Sequence, residues 1–262
     1  MNYFWDEAAM LASDHPNPTI LAIGDSWFWY PFLGGSLINN LGRIVQARNH
    51  VIFAKGMNGA EAFDYVDGKY AEGVRVALKR YGAGLSAVFI SGGGNDFAGF
   101  NDLRPLLKNN CAAQTDAARC FRNGDPGLQR FLDHVDQSYR KLIGAVYTRT
   151  TPDCAVVMHS YDYAIPSGKG VFGGQSWLKP ALVDAQVPQP LQQACVKYLL
   201  DAFHGVLANI CTLDPQHLVL VDSRGTLAPD EWANELHPIG AGFAKIADSC
   251  WAPALRQLQL AA

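Results

Sequence analysis

Ser26, Asn95 and His237 are the side chains in this sequence whose types could support chemistry at a carbonyl carbon. Such chemistry needs an activated hydroxyl, a base that takes its proton, and hydrogen-bond donors for the oxyanion that forms during attack. A serine, an imidazole and a side-chain amide are groups of those three kinds. The residues lie far apart in the chain, so they can act together only if the fold brings them to one place.

Glycines surround the first two of these positions. Gly24 precedes Ser26 at the end of an apolar run and permits a tight turn, and glycines 92–94 lead into Asn95. A glycine-rich approach of this kind suits an amide that faces a developing negative charge. The alternative is a dinucleotide-binding loop, which fails on spacing because position 97 is phenylalanine where that motif needs its last glycine.

A second pair of glycines, Gly56 and Gly59, follows another apolar run. Without Cβ atoms, these positions let backbone N–H groups turn towards a ligand. Taken alone, the pair indicates a turn and no more.

His237 is followed by a residue that favours the start of a helix. Pro238 suits a first helical turn because its missing N–H is not needed there. We therefore expect His237 at a helix N-terminus, where the helix dipole keeps the imidazole neutral and able to accept a proton. A solvated surface histidine is the alternative.

Five short runs of apolar and β-branched residues predict the strands that must position these groups: 19–23, 50–54, 86–91, 154–159 and 217–222. Segments with helical spacing separate the runs, which is typical of β-α-β crossovers. We predict an α/β fold, a three-layer αβα sandwich around a central, mostly parallel five-stranded sheet. Such sheets bind ligands beyond the carboxyl ends of their strands, where Ser26, Gly59 and Asn95 are expected.

We expect a single domain over residues 1–262, with loop insertions near 97–126 and 164–190. A chain of 262 residues, 49% of them hydrophobic, can bury a sizeable core as one domain. Loops as long as these two are usually functional covers, so both are predicted to lie at the rim of the site. Segment 240–260 is predicted to be a plain amphipathic helix packed on the sheet.

Charge and composition exclude some classes of partner. Lys and Arg number 21 and Asp and Glu 24, which gives a net charge of −3 with no basic block, so nucleic acid is not an expected partner. No basic signal-peptide segment opens the sequence and no apolar run approaches membrane-spanning length, which predicts no stable membrane insertion. We expect a cytoplasmic protein; a secreted chain without its signal peptide would look the same.

The cysteines show no spacing that would place several thiols on one metal ion. Four of the six lie in apolar stretches, where a thiol serves as a small core side chain. Cys111 and Cys120 lie in a polar stretch instead. They could remain free thiols or close a small disulfide loop in an oxidising compartment.

Four segments together resemble the sequence blocks of the SGNH hydrolase superfamily, the GDSL-like esterases and lipases: 24–27, 56–59, 92–96 and 234–238. The resemblance spans nearly the whole chain and implies a flavodoxin-like SGNH fold. It implies that Ser26 is the nucleophile and His237 the general base. It also implies an oxyanion hole formed by the backbone N–H groups of Ser26 and Gly59 and the side chain of Asn95, with Gly56 as the alternative to Gly59.

The sequence departs from the family pattern at the catalytic acid. Asn234 occupies the position, three residues before the histidine, where the family usually has aspartate. An asparagine carbonyl can orient the imidazole but brings no charge to stabilise imidazolium. We expect Asn234 to orient His237 in a slower, dyad-like enzyme, with Glu235 and Asp230 as alternatives for the carboxylate.

The resemblance implies a carboxylic ester hydrolase that forms an acyl-enzyme on Ser26 and needs no metal or organic cofactor. Its substrate would be a small-molecule ester, such as an acyl ester or an acetylated carbohydrate. The alternatives are an acyltransferase or thioesterase on the same site, and a binding module that has lost activity with the aspartate. Trp27 and Trp29 follow the serine and are expected to line the substrate pocket, with core packing as the other interpretation.

Overall fold

Parallel strands form the central sheet of the structure, a computed structural model that describes residues 1–30 and 35–262. The strands are Tyr3–Phe4 (β1), Ile20–Gly24 (β2), Ile52–Gly56 (β3), Ala87–Ser91 (β4), Ala155–Ser160 (β5) and Leu218–Asp222 (β6). Their order is β1-β3-β2-β4-β5-β6, and each neighbouring pair is parallel. Without β1, this is the 2-1-3-4-5 order of flavodoxin-like sheets. The predicted α/β fold class is confirmed.

The sheet has six strands in the described residues, so the predicted number of five is wrong. The additional strand is β1, in which Tyr3 pairs with Ile52 and Phe4 with Phe53. Two residues are too few to show the alternation that marks a strand in a sequence. This strand therefore depends on the open edge of β3, which supplies the hydrogen-bonding partners, and not on a local pattern.

Helices cover the sheet and explain why its strands are so apolar. The helices are Glu7–Leu11 (α1), Leu37–Gln46 (α2), Ala71–Tyr81 (α3), Phe100–Leu103 (α4), Leu128–Tyr147 (α5), Lys179–Asp184 (α6), Gln189–Cys211 (α7), Gly240–Ile246 (α8) and Ala252–Gln257 (α9). Helix α2 contacts α8 and α9, whereas α5 contacts α7. Strands β2, β4 and β5 are buried along their whole length, as strands covered on both faces must be.

Helix α7 is, among the described residues, a segment long and apolar enough to cross a membrane by length and composition, with a mean hydropathy of 1.2. By this criterion the prediction that no run approaches membrane-spanning length is wrong. The helix contacts α5, β5 and β6, and its buried side chains include Leu199, Phe203 and Leu207. Packing on the sheet therefore accounts for much of its apolar character.

The C-terminal helical segment is not the plain helix that its spacing predicts. It consists of α8, a π-helical turn at Ala247–Trp251, and α9. Pro253 lies in the first turn of α9 and has no N–H for the carbonyl of Ser249. A proline inside a helix breaks the regular hydrogen-bond ladder, and the wider turn before it absorbs that break.

The two long segments predicted as loops contain short helices. Segment 97–126 carries α4, two 3₁₀ turns and a bridge between Leu107 and Phe121, and segment 164–190 carries α6 and a 3₁₀ turn at Val171–Gly173. Cys111 and Cys120 lie buried in the first segment as free thiols. The Cys111 Sγ lies 3.6 Å from the Cys120 carbonyl oxygen, an arrangement that packs the thiol without a disulfide.

Candidate active site

A chain of hydrogen bonds links Ser26, His237 and Asn234 at the carboxyl edge of the sheet. The Ser26 Oγ lies 2.7 Å from the His237 Nε2, and the His237 Nδ1 lies 3.0 Å from the Asn234 Oδ1. All three side chains are buried. The hydroxyl and the imidazole, remote in the sequence, thus meet at the distance that proton transfer needs.

The orientation of Asn234 fixes the tautomer of the histidine. The Asn234 Oδ1 accepts the backbone N–H groups of Leu236 and His237, both at 3.0 Å, so this atom is the carbonyl oxygen and not the amide nitrogen. His237 Nδ1 must then carry a proton and donate it to Asn234. The Nε2 is left unprotonated and accepts the hydrogen bond of the Ser26 hydroxyl.

Burial keeps the imidazole neutral. Removal from water lowers the pKa of His237 to about 4, because the charged form loses its hydration. The predicted helix dipole is not the cause: α8 begins at Gly240, and His237 lies before it in a loop. The ring of Tyr30 stacks on the imidazole at 4.4 Å between centroids, and the Tyr30 hydroxyl accepts a hydrogen bond from the Asn234 amide at 3.1 Å.

The loop after β4 presents Asn95 beside Ser26. The Asn95 Nδ2 donates to the Ala60 carbonyl at 2.9 Å, which fixes the amide plane and uses one of its two N–H groups. Gly59 lies on the neighbouring loop with φ +72°, in the left-handed region that favours glycine. Ser26, Gly59, Asn95 and His237 line one cavity, which does not include Gly56 among the described residues. Of the two glycines, Gly59 is therefore the one that lines the cavity beside Ser26.

A buried carboxyl group connects the loop of Ser26 with the loop of Asn95. The Asp25 carboxyl accepts hydrogen bonds from the Trp27 N–H at 3.0 Å, the Ser91 hydroxyl at 3.2 Å and the Tyr161 hydroxyl at 2.5 Å. Tyr161 in turn accepts the N–H of Gly94 at 3.1 Å. Burial raises the pKa of Asp25 to about 6 despite these donors.

Gly24 shows why the first motif needs a glycine. A Cβ atom at this position would lie 2.6 Å from the Ser91 carbonyl oxygen and 2.8 Å from the Phe28 ring. The Gly24 carbonyl oxygen accepts the N–H of Met57 at 2.9 Å. Close contact with both neighbouring strands, together with these hydrogen bonds, holds the serine loop against the sheet.

Glu235 is not a partner of the imidazole, although the sequence left that role open. Its buried carboxylate accepts the backbone N–H groups of Gly168 at 2.8 Å, Trp177 at 2.8 Å, Leu178 at 2.7 Å and Lys179 at 3.3 Å. Both oxygens thus bind segment 164–190 to the loop of His237. Asp230 is exposed and has no recorded hydrogen bond to His237 within the described part of the chain.

The two tryptophans after the serine occupy different places. Trp27 is 3% exposed, lines a cavity beside Ser26, and donates its indole N–H to the Leu236 carbonyl at 3.0 Å. Trp29 packs its Cβ near Gly56 and lines neither cavity beside Ser26 among the described residues. The prediction that Trp29 lines the substrate pocket therefore has no support from its position.

Trp177 lines the site beside Ser26, although the sequence analysis does not name it. Its ring meets the edge of His237 at 6.0 Å between centroids, and it lines a cavity with Ser26. The residue lies in the predicted insertion 164–190, which was expected at the rim but without named side chains. An aromatic residue inside a long loop was the available signal.

Comparison with solved structures identifies the fold. A lipase of Streptomyces rimosus superposes with a TM-score of 0.56 at 18% identity, over 92% of this chain and 99% of that chain. A phospholipase A1 of Streptomyces albidoflavus gives 0.52 at 15% identity over 92% and 99%. A protein of Desulfitobacterium hafniense named for the G-D-S-L family gives 0.51 at 13% identity over 88% and 97%.

The chain has the SGNH hydrolase fold. No family model and no curated protein matches the sequence. At 13 to 18% identity the structural likeness establishes the fold, and the activity has to be argued from the chemistry of the site. In this SGNH hydrolase fold, the candidate site lies beyond the carboxyl ends of β2, β3 and β4, where the sheet order predicts it.

Proposed function

We propose that the protein is a carboxylic ester hydrolase in which Ser26 is the nucleophile and His237 the general base. The observation that carries this proposal is the 2.7 Å contact between the Ser26 Oγ and the His237 Nε2, in a cavity that Asn95 also lines. Another buried serine–histidine pair, Ser91 and His159 at 3.1 Å, lines neither cavity beside Ser26 among the described residues, whereas Ser26 and His237 line both. The tautomer fixed by Asn234 makes the His237 Nε2 an acceptor.

In the first step, the Ser26 Oγ forms a bond to the ester carbonyl carbon while its proton moves to the His237 Nε2. The carbonyl oxygen becomes an oxyanion that the N–H groups of Ser26, Gly59 and Asn95 bind. The bond to the alcohol oxygen then breaks, and His237 returns its proton to the departing alcohol. Water repeats the sequence on the acyl-enzyme and releases the carboxylic acid and Ser26.

Asn234 takes the place of the acid in this scheme. It orients the imidazole through its carbonyl oxygen, 3.0 Å from the His237 Nδ1, but it carries no charge to stabilise the imidazolium formed during attack. The face of the Tyr30 ring, stacked on His237, is the neighbour whose π electrons attract that transient positive charge. We therefore propose a Ser–His dyad supported by an amide and an aromatic ring.

Hydrolysis of 4-nitrophenyl acetate by purified wild type, Ser26→Ala and Ser249→Ala tests the proposal. Ser249 is an exposed serine of the C-terminal helical segment and controls for the substitution itself. Ser26→Ala should lower kcat by at least about 10³-fold, because removal of the nucleophile leaves only binding and the oxyanion hole. Equal rates for Ser26→Ala and Ser249→Ala would refute the role of Ser26.

A further inference from the structure

Two cavities of unequal size flank the reacting groups. They share Ser26, Asn95 and His237 in their walls. The small cavity has a volume of about 30 Å³ and the large cavity about 170 Å³. An ester bound with its carbonyl carbon at the Ser26 Oγ must direct its acyl chain and its alcohol to different sides. The difference between the two cavity volumes therefore limits the size of each part of the ester.

The small cavity has the size of a short acyl chain. A volume of about 30 Å³ holds about two water-sized groups, since one such group needs roughly 10 to 15 Å³. Its walls include Phe97, Ala164 and Leu200, which are 2%, 6% and 1% exposed. Phe97 packs edge-on against Phe131 with 5.9 Å between centroids, so its ring cannot retreat without repacking the core.

The polar groups of the small cavity are already hydrogen-bonded. The Asp162 carboxylate accepts the N–H groups of Tyr163 at 2.6 Å and Leu227 at 2.7 Å, and the Asp25 carboxyl accepts the donors described above. The remaining wall is apolar. A methyl or ethyl group fits both its size and its chemistry, whereas a polar or charged group would find few free partners.

The large cavity suits the alcohol. It is lined by Asn58, Val171 and Trp177 as well as by the shared groups, so an aromatic ring and an amide face its occupant. His237 lines both cavities, so a leaving oxygen on this side also lies near the atom that must protonate it. The alcohol has to depart after the first step and water has to enter, and the larger cavity has more room for both.

On the basis of the proposed function, we infer that the substrates are acetyl and propionyl esters of an alcohol larger than the acyl group. The acyl chain occupies the small cavity between Phe97, Ala164 and Leu200, and the alcohol lies against Trp177. Chains of four or more carbons do not fit behind Ser26. A single methylene too many for a hydrophobic pocket costs about 1 to 3 kcal/mol, or roughly a 10- to 200-fold loss.

The test is a series of 4-nitrophenyl acetate, propionate, butyrate and octanoate, which varies the acyl chain with one alcohol. For the wild type, kcat/KM should fall at least about tenfold between propionate and butyrate, and further at octanoate. Leu200→Ala should raise the ratio of butyrate to acetate about tenfold by extending the small cavity. Equal rates across the series, or a preference for octanoate, would overturn the inference.

Leu199→Ala is the matched control for the widened cavity. Leu199 precedes Leu200 on α7, is also 1% exposed, and does not line either cavity among the described residues. Both variants lose the same buried side chain, so their losses of stability should be similar, but Leu199→Ala should keep the wild-type acyl preference. Identical shifts of acyl preference in the two variants would mean that the preferred acyl chain length depends on a general loosening of the core and not on the size of the small cavity.

Ala164→Val provides an independent variant that narrows the cavity. It should lower the rate with propionate more than with acetate.

Trp177→Ala should lower kcat/KM for every chain length by a similar factor, because it removes a wall of the alcohol site. If no ester of the series is turned over in a Ser26-dependent manner, the proposed function itself fails; Ser26-dependent turnover of long chains refutes the acyl assignment alone.

Discussion

The two sides of the site are held in place differently. The serine side consists of the loops that continue β2, β3 and β4 and carry Ser26, Gly59 and Asn95. Its loops are direct extensions of the sheet, as shown by the bond from the Asp25 N–H to the Ser91 carbonyl at 3.0 Å. The histidine side consists of loop 234–237 and segment 164–190. Among the described residues, loop 234–237 does not directly continue a strand, and the carboxylate of Glu235 connects it to segment 164–190.

Each side contains a buried carboxyl group next to a reacting residue, and neither has a recorded contact with the imidazole in the described chain. Asp25 accepts hydrogen bonds from one N–H and from the hydroxyls of Ser91 and Tyr161, whereas Glu235 accepts four backbone N–H groups of segment 164–190. On the histidine side, one side chain thus accepts four backbone hydrogen bonds from segment 164–190. The histidine side should be the more sensitive to a single substitution outside the reacting groups.

Glu235→Ala should produce the largest effect. It leaves four N–H groups of segment 164–190 without their acceptor and should lower the free energy of unfolding by about 3 to 5 kcal/mol, as expected when one partner of a buried charged interaction is removed. Urea denaturation measures the change. The control is Glu72→Ala, which removes a surface ion pair with Arg75 that solvent screens and should leave the denaturation midpoint close to that of the wild type. Equal losses would refute the attachment through Glu235.

Asn95→Ala tests the serine side at the level of rate. Loss of one oxyanion donor should lower kcat on 4-nitrophenyl acetate by about 10²- to 10³-fold with little change in KM. Asn101→Ala, at an exposed position of α4, serves as control. A decrease in kcat of less than about tenfold would contradict the role of Asn95 in the oxyanion hole.

Asn234→Asp should have the smallest effect, and in the opposite direction. A carboxylate stabilises the imidazolium formed during attack, so kcat at pH 8 should rise about tenfold or more if the geometry is kept. Tyr30 can help to keep it, because its hydroxyl can donate to aspartate where it accepts from asparagine at 3.1 Å. No gain would mean that the missing charge does not limit the rate.

The pH dependence of the same variant gives a second readout. In the wild type, His237 has a pKa of about 4, so the base is neutral and competent above that pH, and activity should be lost only as the pH falls through about 4. A neighbouring carboxylate favours imidazolium and raises the pKa of His237. The acid limb of the Asn234→Asp profile should therefore lie at higher pH than that of the wild type. If the acid limbs of the two pH profiles coincide, the assignment of residue 234 as the neighbour that tunes the pKa of His237 is contradicted.

The strands that lead into the serine side could be predicted because their signals are local. Glycine before Ser26 and before Asn95 marks the points where strands end, and apolar runs identify the strands themselves. The histidine side was predicted only in part. The contact of Ser26 with His237 agrees with the expectation. The partners of Glu235 are backbone N–H groups, which every residue type except proline carries, so no sequence pattern predicts them.

Other differences have the same physical origin. Strand β1 exists because β3 offers an open edge, and that edge is a property of the assembled sheet. Trp177 lies beside His237, and Glu235 binds the backbone N–H of the same residue. In both cases the local structure involves a contact between segments that are distant in the sequence, and such a contact cannot be predicted from the spacing of residues within one segment.

Covalent labelling with a fluorophosphonate, followed by mass spectrometry of the digested protein, tests the central claim most directly. The account predicts one adduct on the peptide that contains Ser26, formed by the wild type and much more slowly by His237→Ala, because the base that activates the hydroxyl is gone. An adduct on another residue, or equal labelling rates for wild type and His237→Ala, would contradict it.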